Sequence, residues 1–252
     1  MTFFSIHSGH KERPLSAVPG MVLFILFAGL SAQLTWHNFS EGPKVSVKAL
    51  PDVPETGTLR LFSLGDTIVM SKLLMLWLQA FDNQPGISIP FRELDYDKII
   101  DWLEIILSLD NQAQYPLLAA SRLYTQVADA GKQRKMLEFV ARKFREDPAR
   151  RWQWMAHAVY VAKHQLKDLA LALHYARILN RYAQGEDVPP WARQMEIFVL
   201  EDMGELESAK VLIGGLLDSG TIRDANELRF LERRLQEIET RQSATAGQGT
   251  LP

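Results

Sequence analysis

A short turn recurs along this chain at a spacing that stacked helical hairpins accommodate. Ala130-Gly131-Lys132, Leu166-Lys167-Asp168 and Met203-Gly204-Glu205 are separated by 36 and 37 residues. Five residues after each central position stand Met136, Ala172 and Ala209; nine after stand Val140, Ala176 and Ile213. Asp110 and Asp147 share the same offset. A period of roughly 20–50 residues marks repeated supersecondary units. From about residue 62 apolar residues recur at helical spacing, and no segment alternates strongly enough for a strand. Helices are predicted at 66–81, 95–109, 115–128, 132–146, 152–165, 168–182, 190–203, 205–218 and 224–240. Asn83-Gln84-Pro85-Gly86, Asp110-Asn111, Asp147-Pro148 and Gly185 to Pro190 separate them. Connections this short make neighbours antiparallel. The expected fold class is all-α.

The first forty residues obey a different rule. Asp, Glu, Lys and Arg are absent from Pro14 to Ser40. Val18 to Trp36 within this stretch nears the roughly 20 residues that cross a bilayer as a helix. Lys11 and Arg13 precede it, and Trp36 closes it at interfacial depth. Two readings stay open: an uncleaved signal anchor over 18–37, or a cleaved signal peptide using Gly29, Ser31 and Ala32. The anchor is favoured by length. The expected topology is single-pass in a bacterial inner membrane, with the large domain in the periplasm. Residues 1–17 form a short tail. Residues 38–61, rich in proline, are expected to form a tether, with an edge strand through Val45 and Val47 as the alternative. The repeat domain spans 62–240, and 241–252 is expected to be disordered.

The repeat region resembles the tetratricopeptide family. Lys167-Asp168-Leu169-Ala170-Leu171-Ala172, Phe144-Arg145-Glu146-Asp147-Pro148 and Gly204-Glu205-Leu206-Glu207-Ser208-Ala209 carry the likeness, which covers about residues 90–220. The period is slightly longer than that family's roughly 34 residues. The resemblance implies a short right-handed solenoid of helical hairpins. It also implies a concave groove, lined by the first helix of each pair, that binds a partner segment. Counting back from the turns puts Ser121, Thr125, Trp154, His157, Val161, His164, Trp191, Gln194, Phe198 and Glu201 on that groove. Trp154 and Trp191 could equally pack between hairpins.

Composition narrows the remaining choices. The 252 residues include no cysteine, which excludes disulfides and thiolate chemistry. Net charge is −2, and one short basic run within 129–151 is too little for nucleic acid. Acids outnumber bases in 186–240, a gradient that would steer a charged partner or pair two copies head to tail. Ordinary solvated faces explain it as well. No phosphate loop, HExxH or nucleophile elbow occurs. His157, His164 and His174 lack further ligands at matching spacing, so neither metal nor cofactor is expected. The expected role is a non-enzymatic assembly scaffold in envelope biogenesis or secretion. Its partner would be a peptide segment or a membrane-complex subunit. The alternative is an all-helical envelope enzyme using His157 and His164.

Overall fold

A computed structural model of the protein describes residues 19–39, 49–84, 87–185, 187–220, 222 and 224–248. The tail 1–17, Val18, the candidate strand through Val45 and Val47, and residues 249–252 lie outside the described residues. The chain divides into two units, Met1–Ser46 and Val47–Pro252.

In the first unit, helix α1 spans Gly20–Phe39. Every side chain from Gly20 to Trp36 is exposed. Phe24, Phe27, Leu30 and Leu34 sit at three- and four-residue steps, yet Met21, Ile25 and Leu26 fill the other sides, so no polar face exists. Among the described residues no single helix is long and apolar enough to cross a membrane; the apolar part of α1 is Gly20–Trp36.

The second unit is built of helices α2 (Thr56–Phe62), α3 (Thr67–Ala80), α4 (Tyr96–Leu109), α5 (Tyr115–Leu118), α6 (Ala130–Glu146), α7 (Pro148–His164), α8 (Leu169–Tyr182), α9 (Pro190–Arg193), α10 (Met195–Asp202), α11 (Leu206–Asp218) and α12 (Ala225–Gln248). One two-residue antiparallel pair, β1 (Asn83–Gln84) with β2 (Ile87–Ser88), interrupts the series, so the architecture is all-helical apart from this ornament. Aspartates start the helices. Asp66, Asp95, Asp129, Asp147 and Asp168 each accept a backbone N–H from the first turn of α3, α4, α6, α7 and α8. Such a cap typically contributes about 1 kcal/mol. Pro148 enters α7 at its first turn, where the missing N–H costs nothing. Lys167 (φ 53°) and Gly204 (φ 77°) hold the left-handed conformation between paired helices. At the third recurrence Gly131 is instead inside α6.

Helices pack on their sequence neighbours: α3 on α4, α6 on α7, α7 on α8, α8 on α10, α10 on α11 and α11 on α12. Ala158, Val159 and Ala162 of α7 and Ala172, Ala176 and Leu179 of α8 are completely buried, and their small side chains let the two helices pack closely. Met136, Leu137, Phe139 and Phe144 of α6 are buried as fully, each stabilising by about 1.5–3 kcal/mol.

Several segments depart from the sequence expectation, and the helix expected over 190–203 is broken at Gln194 into α9 and α10. The expected tether docks on the domain over its second half. Leu50 is buried, Lys98 donates to its carbonyl at 3.0 Å, and Trp102 donates to that of Pro51 at 2.9 Å. Prolines keep this strand-like segment extended, but α4 supplies donors for its carbonyls. The tether then ends in α2, anchored by buried Leu59. The helix expected at 115–128 is regular only to Leu118; a wider turn follows at Ala119–Leu123 and a tighter one at Tyr124–Gln126. The Thr125 hydroxyl donates to the Ser121 carbonyl at 2.6 Å, a back-bond that bends helices, and buried Gln133 donates to the carbonyls of Thr125 and Val127, both at 2.8 Å. Finally, α12 runs to Gln248, past the expected end at 240. The Gln242 amide donates to Glu207 at 2.8 Å, which ties this extension to α11.

Candidate functional site

The predicted groove residues divide by helix. On α7 the exposed row is Gln153, Tyr160 and His164, with His157 half-buried between them, while Val161 is completely buried. His157 and His164 thus keep their expected side, while Val161 is turned into the core and Tyr160 takes its open place. In the preceding segment Ser121 and Thr125 are buried, and Arg122 beside them is exposed. The wide turn at Ala119–Leu123 breaks the regular count there.

Trp154, His157 and Trp191 do come together. With Arg122, Tyr160 and Met195 they line a cleft of about 430 Å³ between α7 and the α9–α10 corner. The Trp154 indole donates to Gln114 Oε1 at 2.7 Å, which fixes the ring from behind. Trp191 is 51% exposed and meets Trp152 edge-on at 5.6 Å. Tyr160 lies between two histidines, its ring 5.7 Å from His157 and 4.7 Å from His164. Burial and then the Arg122 charge lower the pKa of His157 from its ordinary value, so at neutral pH it presents an uncharged imidazole. The cleft thus combines three aromatic rings, one guanidinium and one neutral imidazole. Apolar rings with a few directional polar groups are the usual make-up of binding clefts.

The other three predicted residues are covered by the protein's own last helix. Gln194 donates to Glu227 at 2.9 Å. Phe198 meets Phe230 at 6.2 Å. Glu201 accepts two bonds from Arg234, at 2.7 and 2.6 Å, and its side chain is 4% exposed. Residues four and three apart on α10 thus face Glu227, Phe230 and Arg234 at matching steps on α12. The row counted as open groove is here a helix–helix contact.

The charge asymmetry of the sequence resolves largely into ion pairs between neighbouring helices. Lys135 pairs with Asp97 at 2.6 Å and Arg142 with Glu104, linking α6 to α4. Arg134 pairs with Asp168 at 2.8 Å, Lys163 with Asp202, and Arg177 with Glu196 at 3.1 Å.

Among the described residues no group of three His, Asp or Glu side chains is arranged to hold a metal ion. Sequence counting missed Arg122, Tyr160 and Met195. Tyr160 had a signal, lying three residues after His157 and four before His164 on one helical row. Arg122 had none, because only the wide turn brings it round. No protein-family model, curated protein or solved structure matches the chain.

Proposed function

We propose that the protein is a membrane-anchored interaction module that seats a segment of a partner protein in the cleft of Trp154, His157, Tyr160, Trp191 and Arg122. The observation that carries this reading is the half-open aromatic cleft of about 430 Å³, whose Trp154 ring is fixed by its bond to Gln114. Its volume lies within the range of roughly 300–1,000 Å³ usual for binding sites. We read the hairpins as a short right-handed solenoid of tetratricopeptide-like units. The paired left-handed turns at Lys167 and Gly204 support that reading. The closing α12 plays the part of a terminal cap, as stacked repeats require. Helix α1 holds the module at a bilayer, supported by its charge-free apolar surface on every side. A shortened apolar stretch is accommodated by local thinning or by flanking residues that reach the interface. The domain is read as periplasmic and the process as envelope assembly or secretion.

The test is recovery of partners from native membranes by the full chain. Trp191→Ala with Tyr160→Ala alters exposed cleft residues without touching the core, so loss of specific partners with an unchanged unfolding transition supports the module. Identical partners with and without the substitutions would sink it. Gln194 is left intact, since its bond to Glu227 makes a change there structural. Anchoring is tested by fractionating the full chain beside a form starting at Val45. Equal solubility of the two would remove the anchor.

A further inference from the structure

Helix α3 is apolar on the wrong side. Its inward face carries Ser71, Met75 and Leu78, and the Ser71 hydroxyl donates to the Ile106 carbonyl at 3.0 Å. Its outward face reads Ile68, Val69, Lys72, Leu73, Leu76, Trp77 and Ala80, all exposed, with Lys72 the one charge. These positions follow steps of three and four, so they form one stripe along the helix. The end of α2 adds Leu61 and Phe62, and the turn into α3 adds Leu64. Leu64 is 95% exposed and sits at φ 51°, a left-handed conformation that costs a leucine about 1–2 kcal/mol. Beside the stripe runs an apolar cleft of about 440 Å³, lined by Ser71, Met75, Ile106 and Pro116, with Lys72 and Tyr115 also bordering it.

We propose that α3 and the α2–α3 knee lie in the interface of a phospholipid bilayer as a second, non-spanning membrane contact. The inference rests on the anchoring of α1 proposed above. Three observations select lipid as the occupant. The helices α2 and α3 together are apolar enough for a membrane segment but are bent by 108°, which suits lying on a bilayer rather than crossing one. Residues 40–55 separate α1 from α2, so a bilayer holding α1 lies within at most about 55 Å of chain. The stripe carries a lone lysine and a tryptophan near its end, the side chains that bridge acyl and headgroup depth.

The absence of cysteine allows clean single-site labels. The full chain carrying Leu26→Cys, Leu64→Cys, Leu73→Cys or Glu232→Cys is labelled with a fluorophore and reconstituted in phosphatidylcholine vesicles containing phosphatidylglycerol. Nitroxide-labelled acyl chains should quench the labels at 26, 64 and 73 and spare that at 232; aqueous iodide should do the reverse. Iodide quenching at 64 and 73 with lipid quenching at 26 overturns the docking and leaves the anchor standing. Iodide quenching at all four overturns both. Rapid disulfide dimerisation of unlabelled Leu73→Cys in the vesicles, with the label at 73 dark to both quenchers, overturns lipid in favour of a second copy.

Discussion

Trp154 and Gln114 are joined by a 2.7 Å hydrogen bond from indole to side-chain amide oxygen, although forty residues separate them. The bond ties α7 to the corner before α5 and sets the ring that forms one wall of the cleft. Trp154→Phe keeps a ring but loses the donor, and Gln114→Ala loses the acceptor. Each should destabilise by about 1 kcal/mol. Because both remove one bond, the double variant should cost much less than the sum of the two, measurable by a denaturant-unfolding cycle.

Arg151 is a buried cation, 2% exposed, that joins three segments. It donates to the Lys143 carbonyl at 2.6 Å, to Glu146 at 3.1 Å and to the Asn111 carbonyl at 2.8 Å. Arg151→Met should cost about 2–4 kcal/mol, because two backbone acceptors lose their partner. Arg142→Met removes an ion pair that is about half exposed on both sides and should cost less than about 1 kcal/mol. Equal losses in chemical denaturation would contradict the assignment.

Lys167 and Gly204, 37 residues apart, both occupy left-handed turns between packed helices, yet only one is glycine. Lys167→Gly should therefore stabilise by about 0.5–1 kcal/mol, and Gly204→Ala destabilise by about 1 kcal/mol. No atom stands within 4 Å of a Cβ built at Gly204, so that cost is conformational rather than steric. Thermal melts of the two variants should move in opposite directions.

The pKa of His157 is lowered, first by burial and second by Arg122. The unfolded chain therefore takes up this proton more readily than the fold does. Stability tied to His157 is whole above its unfolded value of about 6.5 and declines as pH falls below it. Arg122→Gln removes the smaller cause, so the NMR titration midpoint of His157 should rise only part of the way back. Full return to the ordinary value would show that the charge, and not burial, dominates.

Asp168 shows the same sign of linkage in a more acidic window. The Leu171 backbone N–H and then the Arg134 guanidinium hold its carboxyl below the ordinary 3.8. Its contribution is complete above that value and is lost as pH falls from 3.8 through the folded value. Asp168→Ala should destabilise by about 1 kcal/mol at neutral pH through loss of the α8 cap, and the deficit should vanish in strong acid.

Several features were legible because they depend on near neighbours along the chain. The helices capped by Asp66, Asp95, Asp129, Asp147 and Asp168 begin within a few residues of expectation, because a cap acts on the first turn alone. The docking of Leu50 and Pro51 on Trp102 and Lys98 was not legible. Nothing local distinguishes a tether carbonyl left in water from one that meets a donor fifty residues away. Val161 was placed on the open face of α7 because counting along one helix does not show which side its neighbours will cover.

The sequence by itself determined an all-helical chain, a repeat of 36 to 37 residues and an apolar helix at the start, because helical period and capping act over three or four residues. Only the tertiary structure decided which faces were left over. It closed Gln194, Phe198 and Glu201 beneath α12, brought Arg122 round to His157, and left Leu73 and Leu76 of α3 pointing outward. Burial is a property of neighbours far apart in the chain, and a helix does not encode which of its sides they will take.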